Sequence, residues 1–164
     1  MIILLVVLTI LTLTLIFWQD LQFRAVSWPL FPLTLCLLLI YRNQALPWNS
    51  IISSWSYNLG FLAVNVLLLF LIFKLKGVSP LGLLQHKMGI GDFLFFFVLA
   101  LILPFPAFPF FYILTTLIAL LSGLIVFRRT TVPLAGLQAL CLAILLLINE
   151  GGIINIDKSF QWIR

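Results

Sequence analysis

Six apolar runs, separated by short polar connections, constrain the fold of this chain more than any other feature. They cover residues 2–17, about 28–41, 59–73, 92–103, about 110–127 and about 132–149. Few charges interrupt them, because 64% of the residues are hydrophobic and only 8% are charged. Backbone polar groups inside a bilayer must be paired within the protein, which favours helices. The sequence therefore predicts an all-α integral membrane protein with six transmembrane helices, forming a single domain over residues 1–164.

The first run could instead belong to a secretory signal peptide. Such a peptide carries positive charge before its apolar part, and no basic residue precedes residues 2–17. We therefore favour a first transmembrane helix with Asp20 at its end. Prolines near the start of later runs, at Pro29, Pro32 and Pro133, suit a first helical turn, where a missing N–H costs least.

Basic residues are distributed unequally between the two sides of the predicted bundle. The connections after the first, third and fifth runs hold six of them: Arg24, Lys74, Lys76, Lys87, Arg128 and Arg129. The opposite side holds Arg42, Lys158 and Arg164. The positive-inside rule predicts that both termini lie outside the cytoplasm. It also places Asp20 and Asp92 together on the cytoplasmic side of the membrane. The chain has a net charge of +5, but its basic residues form no run, so a nucleic-acid partner is not indicated.

Asp20 and Asp92 are the candidate catalytic residues. Each stands at a junction between a polar segment and an apolar one, where an ionised carboxylate is costly and usually functional. Gly89 and Gly91 beside Asp92 remove side-chain bulk and would let a substrate chain lie close to the carboxylate. Two neighbouring carboxylates can share a proton, one acting as base on a water while the other polarises a peptide carbonyl. This is aspartic-protease chemistry, and it needs no metal or other cofactor.

Other peptidase chemistries lack their residues. The chain has no Gly-x-Ser-x-Gly and no His-Glu-x-x-His, and its single histidine, His86, falls in a polar loop. Cys36 and Cys141 sit inside apolar runs without a Cys-x-x-Cys spacing, so no zinc site or disulfide framework is indicated. A non-catalytic interpretation stays open, in which Asp20 pairs with Arg24 and Asp92 acts only as a helix N-cap.

The connections carry further expectations. Residues 42–57 are predicted to be a loop with three interfacial aromatic anchors, Trp48, Trp55 and Tyr57. Asn65 is expected to make an interhelical hydrogen bond. A short interfacial helix is predicted over Leu81–Lys87, and the tail 150–164 is expected at the interface. The fourth run measures only ~18 Å as a helix, against a hydrocarbon core of ~30 Å. Either Asp92 lies below the membrane surface, or the helix continues into the proline segment 104–109.

The aspartate motifs resemble those of the type IV prepilin peptidase family. That family has an Asp at the end of its first span, followed by an Arg and an Ile-Pro; here the segment reads Asp20-Leu-Gln-Phe-Arg24-Ala-Val-Ser27. Its Gly-x-Gly-Asp motif is matched by residues 89–92, and its later Ile-Pro segment is similar to residues 132–136. The chain differs at Ser27, where proline is usual, and at Leu94, where lysine is common.

The resemblance implies a six-helix peptidase whose catalytic aspartates face the cytoplasm, and by this match they are Asp20 and Asp92. It implies a multi-pass protein of the bacterial inner membrane that cleaves pilin-like precursors. The methyltransferase segment of the long family members is absent, so the chain is similar to the short, peptidase-only members. Arg24 is expected to favour the ionised form of Asp20 and so to bias it toward the base role. Gly89 and Gly91 are expected to support the site.

Two other function classes remain open. An inactive member of the family could act as an assembly subunit and would tolerate the loss of either aspartate. A small transporter would need ionisable residues near the middle of several spans, whereas here only Asn65 is polar and central. The sequence does not indicate an oligomeric state.

Overall fold

The computed structural model describes residues 2–44, 46–75, 89–124 and 132–152. Within these ranges the chain forms six α-helices and no strand, which confirms the predicted all-helical class. Two of the helices, the first and the third, are long and apolar enough to cross a membrane by length and composition. The helices are α1 (Ile2–Phe23), α2 (Leu30–Asn43), α3 (Trp48–Leu75), α4 (Ile90–Ile102), α5 (Ala107–Ser122) and α6 (Leu134–Glu150).

Prolines mark the start of three helices. Pro29 is the N-cap residue of α2, Pro106 that of α5 and Pro133 that of α6. Pro32 lies in the first turn of α2, where it removes no intrahelical hydrogen bond. The predictions made from Pro29, Pro32 and Pro133 are therefore confirmed.

The start of α3 differs from the sequence prediction. Residues 48–57 are helical and do not form a loop. The serines that suggested a loop donate to backbone carbonyls of the preceding turn, as in Ser53 to Ser50 at 2.9 Å and Ser54 to Ser50 at 3.0 Å. This local pairing makes serine compatible with a helix. The expected interhelical bond of Asn65 is also wrong, because its Nδ2 donates to the carbonyl of Phe61 in the same helix at 2.8 Å.

Helix α4 is short because it ends at Ile102, before the prolines. The chain is extended at Leu103, and the next helix begins at Ala107, so α4 does not continue through the proline segment. Its 13 residues span ~20 Å. Much of α4 lies in the core, and its residues Phe95, Leu99 and Ala100 are fully buried.

Helix α6 brings α1 together with α4 and α5. It packs most extensively against α1 and also contacts α4 and α5, while α4 contacts α2 and α3. The shared core includes Leu13 and Ile16 of α1, Phe108 of α5 and Leu142 of α6. This packing brings the carboxyl end of α1 to the amino ends of α4 and α6. The predicted helix over Leu81–Lys87, His86 and the tail from residue 153 lie outside the described residues.

Candidate active site

The two candidate aspartates meet at the amino end of α6. The N–H of Gly136 donates to Oδ2 of Asp20 at 2.7 Å, and the N–H of Ala135 donates to Oδ1 of Asp92 at 2.8 Å. N–H groups in the first turn of a helix have no intrahelical acceptor, and the helix dipole favours negative charge there. Neighbouring amides of one helix therefore hold both carboxylates.

This arrangement limits the separation of the two carboxylates. Because the donors belong to consecutive residues, the two bound oxygens lie within roughly 9 Å of each other. Asp20 is also close enough to Asp92 to act on it electrostatically. The structure thus brings together two acidic side chains that are 72 positions apart in the sequence.

Asp20 occupies an unfavourable place on its own helix. It lies in the last turn of α1, where the helix dipole disfavours a carboxylate, and its residue is only 7% exposed. A carboxylate buried in that place needs a donor from elsewhere, and Gly136 of α6 supplies it. The position of Asp20 is thus set by contact between α1 and α6.

Asp92 differs from its predicted role as N-cap. The N-cap residue of α4 is Gly89, and Asp92 is the third helical residue, with its N–H bound to the carbonyl of Gly89 at 3.1 Å. Its carboxylate also interacts with the N–H of Gly89, as an acidic residue does at this position of a capping box. Asp92 therefore supports the start of α4 and reaches Ala135 of α6 at the same time.

Glycine 136 allows the close approach of α1 and α6. A Cβ placed on it would lie 3.0 Å from both Cβ and Oδ2 of Asp20, and 3.2 Å from the carbonyl oxygen of Phe17. Real Cβ atoms seldom come so near to neighbouring groups. A side chain at residue 136 would therefore push Asp20 from its place.

The two glycines of the Gly-x-Gly-Asp segment lie in different surroundings. Gly89 is exposed, and a Cβ there would lie 3.3 Å from Oδ2 of Asp92. Gly91 lies inside α4 and not in a break of the helix, and a Cβ there would meet the Phe31 ring at an ordinary 3.6 Å. Steric space beside the carboxylate thus depends more on Gly89 than on Gly91.

Arg24 ends α1 in the left-handed conformation. Its φ is 54°, the only positive value among the described residues other than glycine, and its N–H binds the carbonyl of Asp20 at 3.1 Å. The helix does not continue past Phe23, so Arg24 and Asp20 do not lie on one helical face. Arg24 still acts electrostatically on Asp20.

We expect Arg24→Gly to separate the effect of backbone strain on stability from the effect of the Arg24 charge on activity. Glycine adopts the left-handed conformation freely, so the free energy of unfolding should rise by about 1 kcal/mol. Loss of the positive charge near Asp20 should nevertheless slow the peptidase activity that the aspartate motifs imply by about tenfold. Thermal unfolding in detergent and a cleavage assay measure the two effects. Arg24→Gln, which keeps the strained conformation, is the control; unchanged cleavage in both variants would exclude a functional role for the charge.

Gln19, next to Asp20 in α1, makes a hydrogen bond with the segment that follows the helix. Its Oε1 accepts the N–H of Ser27 at 2.8 Å. Proline, which is usual at this position in the family that the motifs resemble, has no N–H and could not make this bond. The difference at Ser27 is thus accompanied by a hydrogen bond that holds the α1–α2 connection.

Sequence reasoning missed the roles of Gln19, Ala135 and Gly136. Ala135 and Gly136 act through backbone N–H groups, which no side-chain pattern reveals. One signal was available, because Pro133 marks a helix start and the next N–H groups of such a helix are unpaired donors. Among the residues that the structure describes, no group of three or more His, Cys, Asp or Glu side chains could hold a metal ion.

Comparison with known proteins identified a matching protein family. Residues 7–127 match the family model described as the type IV leader peptidase family. The matched range contains both aspartates and ends before the amides of α6 that bind them. No curated protein and no solved structure matched the chain.

Proposed function

Since the chain belongs to the type IV leader peptidase family, we propose that it is a membrane aspartic endopeptidase that removes the leader of type IV pilin-like precursors. The observation that carries this proposal is the pairing of Asp20 and Asp92 on consecutive amides of α6. A peptidase that uses two carboxylates needs them within reach of one water and one peptide bond. The non-catalytic interpretation of Asp92 as a helix cap gives no reason for both carboxylates to meet.

In the proposed reaction the pair starts with one shared proton. The ionised carboxylate takes a proton from a water, whose oxygen attacks the carbonyl carbon of the scissile peptide, while the protonated carboxyl donates to the carbonyl oxygen. Proton transfer to the leaving nitrogen then accompanies cleavage of the C–N bond and gives a free carboxylic acid and an amine. Asp20, close to Arg24, takes the base role, which leaves the acid role to Asp92.

The site is proposed to open at the cytoplasmic face of the bacterial inner membrane. This placement rests on the excess of basic residues in the connections on the side of Asp20 and Asp92, and it puts both termini outside the cytoplasm. The apolar segment of the precursor would lie in the bilayer beside the helices. Its basic leader would remain in the cytoplasm, with the scissile bond at the dyad.

Co-expression with a pilin-like precursor tests the activity itself. We expect the chain to shorten the precursor by one cut, detected by a gel shift and located by mass spectrometry of the released leader. Membranes that lack the chain provide the control. A precursor that stays full-length beside correctly inserted chain would contradict the peptidase proposal and favour the role of an inactive assembly subunit.

A further inference from the structure

Three side chains from α2 and α3 hold the carboxyl end of α4. These donors, which we call the α4 clamp, are Arg42, Trp55 and Asn58. Their acceptors are four consecutive carbonyl groups, those of residues 100–103. The clamp thus lies at the opposite end of α4 from Asp92. Trp55, which the sequence suggested as an interfacial anchor, belongs to it.

The clamp satisfies carbonyls that the helix itself cannot pair. The last four carbonyls of an α-helix have no intrahelical donor, and here that end is buried, with residues 101–103 between 2 and 8% exposed. Asn58 is fully buried and donates twice, to the carbonyl of Ala100 at 2.9 Å and to that of Leu103 at 2.7 Å. Hydrogen bonds to these buried carbonyls hold the end of α4 at a fixed position along its axis, relative to the donors on α2 and α3.

Hydrogen bonds add to packing at this end of α4. A cavity of about 40 Å³, large enough for a water, lies beside it and is lined in part by Arg42, Leu103 and Pro104. Pro104 has no N–H, so the chain after α4 cannot add a further helical bond there. The hydrogen bonds of the clamp therefore restrain axial movement at this end in addition to the packing of its buried side chains.

We propose that the α4 clamp sets the axial position of α4 and thereby places Asp92 against Ala135 and Asp20. A helix of ~20 Å moves as a rigid rod, so a shift at residues 100–103 is passed to residue 92. A displacement of about 1 Å is enough to impair catalysis. The clamp residues are positioning residues, and their catalytic effect rests on the proposed peptidase function.

Asn58→Leu tests the clamp and has a matched control in the same helix. Leucine has nearly the same size and removes both hydrogen bonds. Asn65→Leu makes the same chemical change on α3, where the amide bonds its own helix and, within the described ranges, no other. We expect Asn58→Leu to lower kcat by about 30-fold with KM within about twofold, and Asn65→Leu to leave both unchanged.

The pH dependence of kcat separates positioning from a loss of folded protein. Two close carboxylates lose their protons in two well-separated steps, and the active, singly protonated pair exists between them. If the clamp positions Asp92 against Asp20, its loss weakens their interaction and narrows the pH range of high kcat. A smaller amount of folded protein would lower the whole profile without changing its width, and that result for Asn58→Leu would overturn the proposal.

Thiol labelling tests the clamp without any substrate. Phe93, beside Asp92, is 37% exposed and can be replaced by cysteine after Cys36→Ser and Cys141→Ala. We expect Asn58→Leu to raise the rate of labelling by a water-soluble maleimide about threefold or more, and Asn65→Leu to have no effect. Equal labelling rates in the parent protein, in Asn58→Leu and in Asn65→Leu would overturn the clamp, even if the chain cleaves its precursor. A rate increase in a chain that cleaves nothing would support the clamp and refute the peptidase.

Trp55→Phe covers the case in which Asn58→Leu does not fold. It keeps an aromatic ring, although a smaller one, and removes the donor to the carbonyl of Leu101. We expect a smaller increase in maleimide labelling at position 93, of about 1.5-fold, and a smaller loss of kcat. No change in either quantity would contradict the proposal.

Discussion

Asp20→Asn and Asp92→Asn are each expected to lower precursor cleavage by at least about 1,000-fold while the protein still folds and inserts normally. Each carboxyl carries a different proton transfer, and the loss of one member of a catalytic unit is not compensated by the other. The amide oxygen of asparagine can still accept the N–H of Gly136 or Ala135, so the contacts of the site are kept. A gel shift of a co-expressed precursor measures the effect.

The asparagine variants also distinguish chemistry from helix capping. Asparagine keeps an oxygen that can accept the N–H groups of Gly89 and Ala135, so a purely structural Asp92 would tolerate the change. Glu150→Gln is the control, because Glu150 lies at the other end of α6, where it accepts the hydroxyl of Tyr41. Cleavage at the rate of the unchanged protein by either asparagine variant would exclude the dyad.

The apolar runs predicted the helices well because a continuous apolar segment in a bilayer must pair its backbone polar groups internally, which a helix does. They failed at residues 48–57, where Asn49 and several serines suggested a loop and the tryptophans were interpreted as interfacial anchors. There the hydroxyls pair within the helix, and Trp55 points its N–H at α4. Polar residues that serve a neighbouring helix cannot be told from loop residues by composition. That contact depends on how two distant helices pack.

The site shows the same division between local and distant information. Asp20 and Asp92 were predicted from their places at the ends of apolar runs, and the structure brings them together at one helix end. The donors at Ala135 and Gly136 were missed because a backbone N–H has no side-chain signature; Pro133 indicates only that unpaired N–H groups follow it, not which carboxylates they bind. Asp92 was misplaced as an N-cap because the start of α4, at Ile90, is determined by Gly89.

Gly136→Ala is expected to lower cleavage by about 100-fold, although the added methyl group carries no charge and replaces no catalytic atom. The new Cβ would meet Asp20 at 3.0 Å and the carbonyl oxygen of Phe17 at 3.2 Å. Either Asp20 turns away or α1 and α6 separate, and both movements weaken the hydrogen bond from residue 136 to the carboxylate. A displacement of about 1 Å costs on the order of 100-fold in rate, and the overpacking should lower the free energy of unfolding by about 1–3 kcal/mol.

Gly60→Ala is the matched control for Gly136→Ala. Gly60 lies within α3, and a Cβ there would meet no atom within 4 Å. Alanine is the better helix former, so Gly60→Ala should raise the free energy of unfolding by about 1 kcal/mol and leave cleavage unchanged. Thermal unfolding and the precursor gel shift, measured on both variants, separate the effect of contact with Asp20 from the general effect of a methyl group in a helix. Rapid cleavage by Gly136→Ala would mean that the amide of residue 136 does not position Asp20 for the reaction.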